Sequence, residues 1–228
     1  MIFPNQQCEE NLYSQGYNRI AGVDEAGRGA WAGPIVAAAV IMPRDFYLGG
    51  ICDSKMLREE RREELAFEIK KIALAWAVGV IDIGYINQYN IGSANRKAIE
   101  EAVKNLRVKP DYAVIDGVCG GKKGNGDEQG YAHGKPHTGH PLKREGVCVF
   151  EYIKDGDAAV YSIAAASIIA KVARDRILKK EHLKFPCYGF DKNKGYGTKF
   201  HQEALIKNGI CEIHRILYKP IRRIMEGE

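Results

Sequence analysis

Short apolar runs alternate with charged, helically spaced stretches along most of this chain. Ile20, Ala21 and Val23 close the first run, and Asp24 and Glu25 follow at its end. A second run over 35–42 is stopped by Pro43, and the glycine-rich stretch between the two predicts a hairpin with Asp24 near its rim. Residues 58–75 carry Leu65, Ile69 and Ile72 at helical spacing with charges on the other faces, which predicts an amphipathic helix. Val78, Val80, Ile81 and Ile83 predict a strand, and Ser93 is placed to cap a helix over 94–106. After Pro110, residues 112–115 predict a short strand that delivers Asp116 at its C-terminal end. Residues 147–153 predict another strand, running into Asp155, Gly156 and Asp157. From Ser162 the chain is alanine-rich with Ile163, Ala166, Ile169 or Ala170, and Ile177 along one face, so a long helix is expected. A loop over 186–198, a helix over 199–208 closed by Gly209, and a basic amphipathic tail over 214–223 complete the pattern. Residues 1–18 are polar with scattered aromatics and predict a short outer helix or arm. No internal repeat is visible.

Strands and helices in this order imply an α/β fold. With 228 residues, 45% of them hydrophobic, one sizeable core and a single domain over 1–228 are expected. A formal charge of +5 is compatible with a polyanionic partner but does not demand one. The six cysteines form no CxxC pair, which points to reduced thiols in a cytosolic protein. No signal peptide and no membrane-spanning run is present, so a soluble, cytoplasmic chain without a membrane partner is expected. Residues 119–148 differ in composition from the rest: glycine, lysine and histidine replace large aliphatics, as in a long flexible loop. His133, His137 and His140 with Cys119 and Cys148 fit no standard zinc spacing, so the loop reading is preferred to a metal site.

Asp24, Glu25, Asp116 and Asp157 come from separate strand ends and junctions. As DEAG alone, the first pair also reads as the start of a turn. Carboxylates gathered together repel unless cations neutralise them, and hard oxygen ligands without histidine or thiolate favour Mg2+ or Mn2+ over zinc. Two such ions could activate water and stabilise the leaving oxygen of a phosphodiester.

AGVDEAGRG at 21–29, AGP at 32–34, DSK at 53–55, NI at 90–91 and DG at 116–117 stand in the order seen in a known family. So do GD followed by SIAAASIIAKVARDR within 156–176, KGYGT at 194–198 and HR at 214–215. With these motifs the chain resembles the type 2 ribonucleases H, in particular bacterial ribonuclease HII, over most of 19–217. The resemblance implies an RNase H-like fold, a mixed central sheet flanked by helices, with a core over 19–185 and a C-terminal helical extension over 186–228. It implies a monomer that hydrolyses the RNA strand of RNA/DNA hybrids and nicks 5′ of ribonucleotides embedded in duplex DNA, leaving 3′-hydroxyl and 5′-phosphate ends. Carried over by position, Asp24, Glu25, Asp116 and Asp157 are the catalytic carboxylates holding two divalent ions, Mg2+ or Mn2+. Gly27, Arg28 and Gly29 are the turn that reads a ribonucleotide 2′-hydroxyl, and Tyr196 stacks at the RNA-to-DNA junction. Lys55, Lys171 and Arg174 are expected phosphate contacts. For each of these three a solvated surface charge is the other reading, and Arg174 with Asp175 also reads as a structural pair. Two departures stand out: the long step from Asp116 to Asp157, which makes 119–148 an insertion, and Asp155 where the family commonly has lysine. The alternatives are another nuclease of the RNase H-like superfamily and a catalytically silent hybrid-binding protein.

Overall fold

The structure, a computed structural model, describes residues 4–117, 131–133 and 148–227. In chain order the elements are α1 (Gln7–Ser14), β1 (Ile20–Ala26), β2 (Ile35–Ile41), α2 (Glu59–Ile72), β3 (Ala75–Ile81) and α3 (Ile83–Lys104). There follow β4 (Tyr112–Asp116), β5 (Tyr131–His133), β6 (Cys148–Ile153), the short α4 (Gly156–Ala159) and α5 (Tyr161–Lys184). The chain ends with α6 (Phe190–Asn193), α7 (Lys199–Asn208) and α8 (Lys219–Glu226).

Among the described residues, six strands form one mixed sheet in the order β3-β2-β1-β4-β6-β5. β1 runs antiparallel to β2, as the hairpin pattern predicts, and parallel to β4. Because strand side chains alternate, β2 feeds two cores at once. Its Ile35, Ala37, Ala39 and Ile41 pack with Ala94, Ala98 and Ala102 of α3 on one face. Its Ala38 and Val40 pack on the other face with Leu65 and Ile69 of α2 and Ala165, Ile168 and Ile169 of α5. Burial on both faces is why β2 reads as an unbroken apolar run, and each fully buried isoleucine or valine contributes about 1.5–3 kcal/mol. At Gly22 on β1 a Cβ would lie 2.1 Å from the Ser162 backbone, so only glycine lets the start of α5 press onto the sheet.

Several expected elements are corrected. Ile83 opens α3 instead of ending a strand: Asp82 caps the helix, its carboxylate accepting from the Tyr85 amide at 2.8 Å. Ser93 is not a cap either. Asn90 breaks the helix with φ of 72°, and its side-chain oxygen accepts from the amides of Gly92 and Ser93, restarting the second half. Residues 186–198 are not a plain loop but hold a 3-10 turn, Pro186–Tyr188, and α6. Within the expected insertion, Tyr131–His133 adds a strand in parallel pairing with Cys148–Phe150, too short to show an alternation in sequence. The remainder of that insertion, including Cys119, His137 and His140, lies outside the described residues.

Leu178 near the end of α5 packs with Tyr188, Phe190, Leu205, Ile213 and Ile221, so the C-terminal helices share the long helix with the sheet. Residues 4–17 are anchored as well: Leu12 and Tyr17 pack against Tyr112, Val160 and Ile163, and the Ser162 amide donates to Glu9 at 2.8 Å. Among the described residues no helix is long and apolar enough to cross a membrane.

Candidate active site

Asp24 and Glu25 lie within β1, two residues and one residue before its last residue, Ala26, rather than after it. The parallel register of β1 and β4 pairs Val23 with Ile115, so the next step brings Asp24 beside Asp116 on the same face of the sheet. Glu25, on the opposite face by alternation, is met by the Asn95 side chain of α3. Asp157 arrives from α4. The Gly156 amide at the start of that turn donates to Asp116 Oδ1 at 2.7 Å, which fixes the turn to the end of β4. Lys55, on the 3-10 turn Ser54–Met56, reaches Asp157 Oδ2 at 3.0 Å and is the near counter-charge of that carboxylate. The turn is tied to α5 by a 2.7 Å bond between the Ser54 and Ser167 hydroxyls.

The energetics of this row follow from its burial. Desolvation, then the charges of Glu25 and Asp116, hold the Asp24 carboxyl well above the ordinary carboxylate range. Burial also raises Glu25, with Arg28 opposing, and burial followed by the Asp157 charge raises Asp116. One Glu25 oxygen is buried with no hydrogen-bond partner. Burial works against the charged Lys55 amine, yet its bond and charge contact with Asp157 win and raise it. Among the described residues, no three His, Cys, Asp or Glu side chains close up into a ready cage for an ion. An open row of repelling, partly orphaned oxygen ligands is nevertheless what a divalent cation satisfies, and the donor chemistry fits Mg2+ or Mn2+.

Asp24, Glu25 and Asp116 line a cavity of about 650 Å3, while Asp157 is not in its lining and meets it through Lys55, which is. Gly27, Arg28, Gly29, Lys171, Lys194 and Tyr196 line the rest of it with Ser54, Lys55, Arg62 and Asp175. Lys171 donates to Asp175 at 2.8 Å at the cavity wall, and burial lowers its amine against the pull of that carboxylate. The turn after β1 is joined to the loop that carries Tyr196: the amides of Trp31 and Ala32 both donate to the Gly195 carbonyl. The Tyr196 backbone is held on both sides, its amide donating to Asn193 and its carbonyl accepting from Thr198, while the residue stays 38% exposed. His201 Nδ1 also lies 2.9 Å from that carbonyl. A carbonyl only accepts, so Nδ1 carries the proton, and His201 Nε2 then accepts from His214 Nε2 at 3.1 Å. His214 Nδ1 in turn accepts from the Cys211 amide. Burial keeps both rings neutral, with His214 pushed down to about 4.

Arg174 is not placed as a phosphate contact. It has no exposed surface, and its guanidinium donates to the carbonyls of Pro34 at 3.0 Å, Lys194 at 2.8 Å and Ala32 at 3.0 Å. Nor is it the partner of Asp175, which pairs with Lys171 and Arg62. The sequence holds a signal for this inward turn: Arg174 stands four residues from Ala170 and from Leu178, on the buried face of α5. Gly27 follows from it. The residue has φ of 96°, and a Cβ there would sit 1.9 Å from Arg174 Nε. Arg215, quoted only within a motif, is fully buried too and donates to Gly33, Arg28 and Pro34. Asp155 is exposed at φ of 54° at the start of α4, away from the buried Asp157.

A mixed sheet that sets carboxylates from neighbouring parallel strands against a cationic cavity defines an RNase H-like phosphodiester hydrolase. Within that class the chain belongs to the ribonuclease HII family, whose model matches residues 21–221. It is similar to ribonuclease HII of Caldanaerobacter subterraneus subsp. tengcongensis, 43% identical over 96% of this chain and 80% of that one. Among solved structures it is similar to the ribonuclease H2 of Pyrococcus horikoshii OT3, with 25% identity, a TM-score of 0.68, and coverage of 92% of this chain and 98% of that one. It is also similar to the Archaeoglobus fulgidus RNase HII solved in complex with PCNA, with 28% identity, a TM-score of 0.65, and coverage of 90% and 96%. Its activity is that of a ribonuclease H, an endonuclease acting on RNA/DNA hybrids.

Proposed function

We propose that this enzyme, besides cutting the RNA strand of hybrids, nicks 5′ of a ribonucleotide embedded in duplex DNA, leaving 3′-hydroxyl and 5′-phosphate ends. The observation that carries the reading is the joining of two unlike structures in one cavity: the crowded carboxylates of Asp24, Glu25 and Asp116 and, beside them, a glycine turn fixed to the Tyr196 loop. Asp24, Glu25, Asp116 and Asp157 would hold two divalent ions, Mg2+ or Mn2+. Bound there, such ions lower the pKa of water and neutralise charge on the leaving oxygen.

The protein's own residues supply the rest. Gly27, buried against Arg174, lets the turn form, and the exposed Gly29 leaves backbone open to a sugar edge, where the 2′-hydroxyl is what separates RNA from DNA. The exposed Tyr196 ring offers a face for the neighbouring base or sugar, with Lys171 Nζ 6.0 Å from its centroid. Lys55, whose side chain is 75% exposed, is tethered to Asp157 and at 3.9 Å to Asp53, so it can turn to a phosphate when those carboxylates are otherwise engaged. Arg28 lies 3.8 Å from Glu25 and links the turn to the acidic row.

The test is cleavage of a duplex carrying one ribonucleotide, with Mg2+ or Mn2+ and with chelator. Metal-dependent nicking at the 5′ side of that ribonucleotide is expected. Cleavage of continuous hybrid with none at a single ribonucleotide would reject the embedded-ribonucleotide reading.

A further inference from the structure

Arg174 and Arg215 are two cations with no exposed surface, and among the described residues neither forms an ion pair. Both spend their donors on backbone carbonyls. Arg174 grips Ala32 and Pro34 from the chain after the glycine turn and Lys194 from the Tyr196 loop. Arg215 grips Arg28, Gly33 and Pro34, and through Nη1 also bonds the Tyr218 hydroxyl, which itself donates to the Arg28 carbonyl. The Pro34 carbonyl is shared by the two forks. A buried guanidinium without a carboxylate is costly to place, so its donors must be engaged by strong local dipoles. Of the residues that supply those dipoles, Arg28 and Lys194 line the cavity, and the Arg174 guanidinium carbon lies 5.5 Å from the centroid of the Tyr196 ring. Lys194, held by Arg174, has φ of 50°, a left-handed conformation that a lysine keeps only when its surroundings impose it.

We infer that Arg174 and Arg215 are positioning residues for substrate discrimination: a buried pair of forks that locks the Gly27–Gly29 turn and the Tyr196 loop into one rigid reading unit. This rests on the reading of that unit as the ribonucleotide-recognising part of the site. Lysine keeps the charge but has no planar fork, so it cannot hold three carbonyls in fixed directions. Arg174→Lys and Arg215→Lys should therefore loosen the unit without touching the carboxylate row.

The chain has two tryptophans, and Trp31 belongs to the unit, its amide bonded to Gly195. A Trp76→Phe background leaves Trp31 as the sole reporter. In that background we expect each lysine variant to keep its far-ultraviolet circular dichroism while Trp31 becomes about twofold more accessible to acrylamide. Nicking at a single ribonucleotide should fall at least ~10-fold further than cleavage of continuous hybrid, as small misplacements of a positioned group do. The metal concentration for half-maximal rate should stay within about twofold of wild type, because no ligand carboxylate has been moved. Equal losses on both substrates, or an unchanged Trp31, would overturn the inference. So would failure of both variants to fold, which would make the pair a requirement of the whole domain. A wild-type enzyme that does not nick at a single ribonucleotide would reject the parent reading instead, and with it the pair's role in discrimination, while Trp31 would still report whether the forks hold the unit.

Discussion

Asp24 and Asp116 stand on neighbouring strands whose backbones are held by the sheet, yet their side chains are crowded, desolvated and short of counter-charge. Gly27–Gly29 and the Tyr196 loop have no sheet beneath them, yet their backbone is held by side chains: Arg174, Arg215, Tyr218 and His201 all donate to carbonyls there. One end of the cavity has a settled backbone and unsettled charges, and the other has the reverse. The difference shows how a site can have fixed geometry before substrate arrives and still carry unbalanced charge. Charge repulsion is tolerated where the sheet fixes the carboxylates, and loop geometry is fixed by buried side chains where no sheet does so.

The largest effect is expected at the acidic end. Asp24→Asn keeps the volume and removes the charge, so cleavage should fall at least ~10³-fold, several kcal/mol of transition-state stabilisation. The same variant separates the two kinds of order through stability. Because the folded-state pKa of Asp24 is raised, metal-free native protein holds a proton that the unfolded chain gives up, and stability is lost as pH rises above the ordinary carboxylate range. In chelator, wild-type Tm should therefore fall between pH 5 and pH 8, and Asp24→Asn should flatten that dependence. A variant with a lower Tm at pH 8 than wild type would mean that Asp24 is a stabilising ligand of the fold and not a strained one.

Next in size is the contrast between two nearby aspartates. Asp157→Asn should cost ~10²-fold or more at saturating substrate, partly recovered at higher metal concentration. Asp155→Asn should remain within about twofold of wild type, since the side chain is exposed and asparagine tolerates its left-handed backbone. Equal losses in a single-turnover assay would show a shared site.

At the recognition end, Tyr196→Ala should remove stacking of about 1–3 kcal/mol and slow junction nicking accordingly. Junction nicking at the wild-type rate would reject the stacking role. The smallest effect is expected from deleting residues 120–146. This uncovers the outer edge of β6 by removing the three-residue β5, so Tm should drop by no more than ~2–4 °C, about 1 kcal/mol for a chain of this size. The lost lysines should weaken substrate binding and flatten its salt dependence, measured by titration at two ionic strengths. A chain that fails to fold would make the segment structural.

The acidic end was the more legible of the two in sequence. An apolar run ending in carboxylates marks a strand end, and Asp24, Glu25 and Asp116 are legible so; what the pattern does not supply is the register that sets Asp24 against Asp116. The end formed by the glycine turn and the Tyr196 loop is legible as motif but not as structure. Arg174 reads as a surface charge because Asp175 and Arg176 follow it, and only its spacing from Ala170 and Leu178 betrays a buried side chain. Its acceptors, Pro34 and Lys194, are remote in sequence. The start of α3 is locally ambiguous in sequence: Ile83 continues the apolar run of β3, while the cap that decides the boundary is the single residue Asp82.

The separateness of the two ends is tested most directly by titrating Mg2+ against single-turnover nicking of a one-ribonucleotide duplex by wild type, Asp157→Asn and Tyr196→Ala, with duplex affinity measured in parallel. The two variants should move different quantities. Asp157→Asn should raise the half-maximal metal concentration at least ~10-fold with duplex affinity nearly unchanged, and Tyr196→Ala should weaken duplex affinity or slow nicking while leaving the metal midpoint within about twofold. A metal midpoint displaced as far by Tyr196→Ala as by Asp157→Asn would contradict the division.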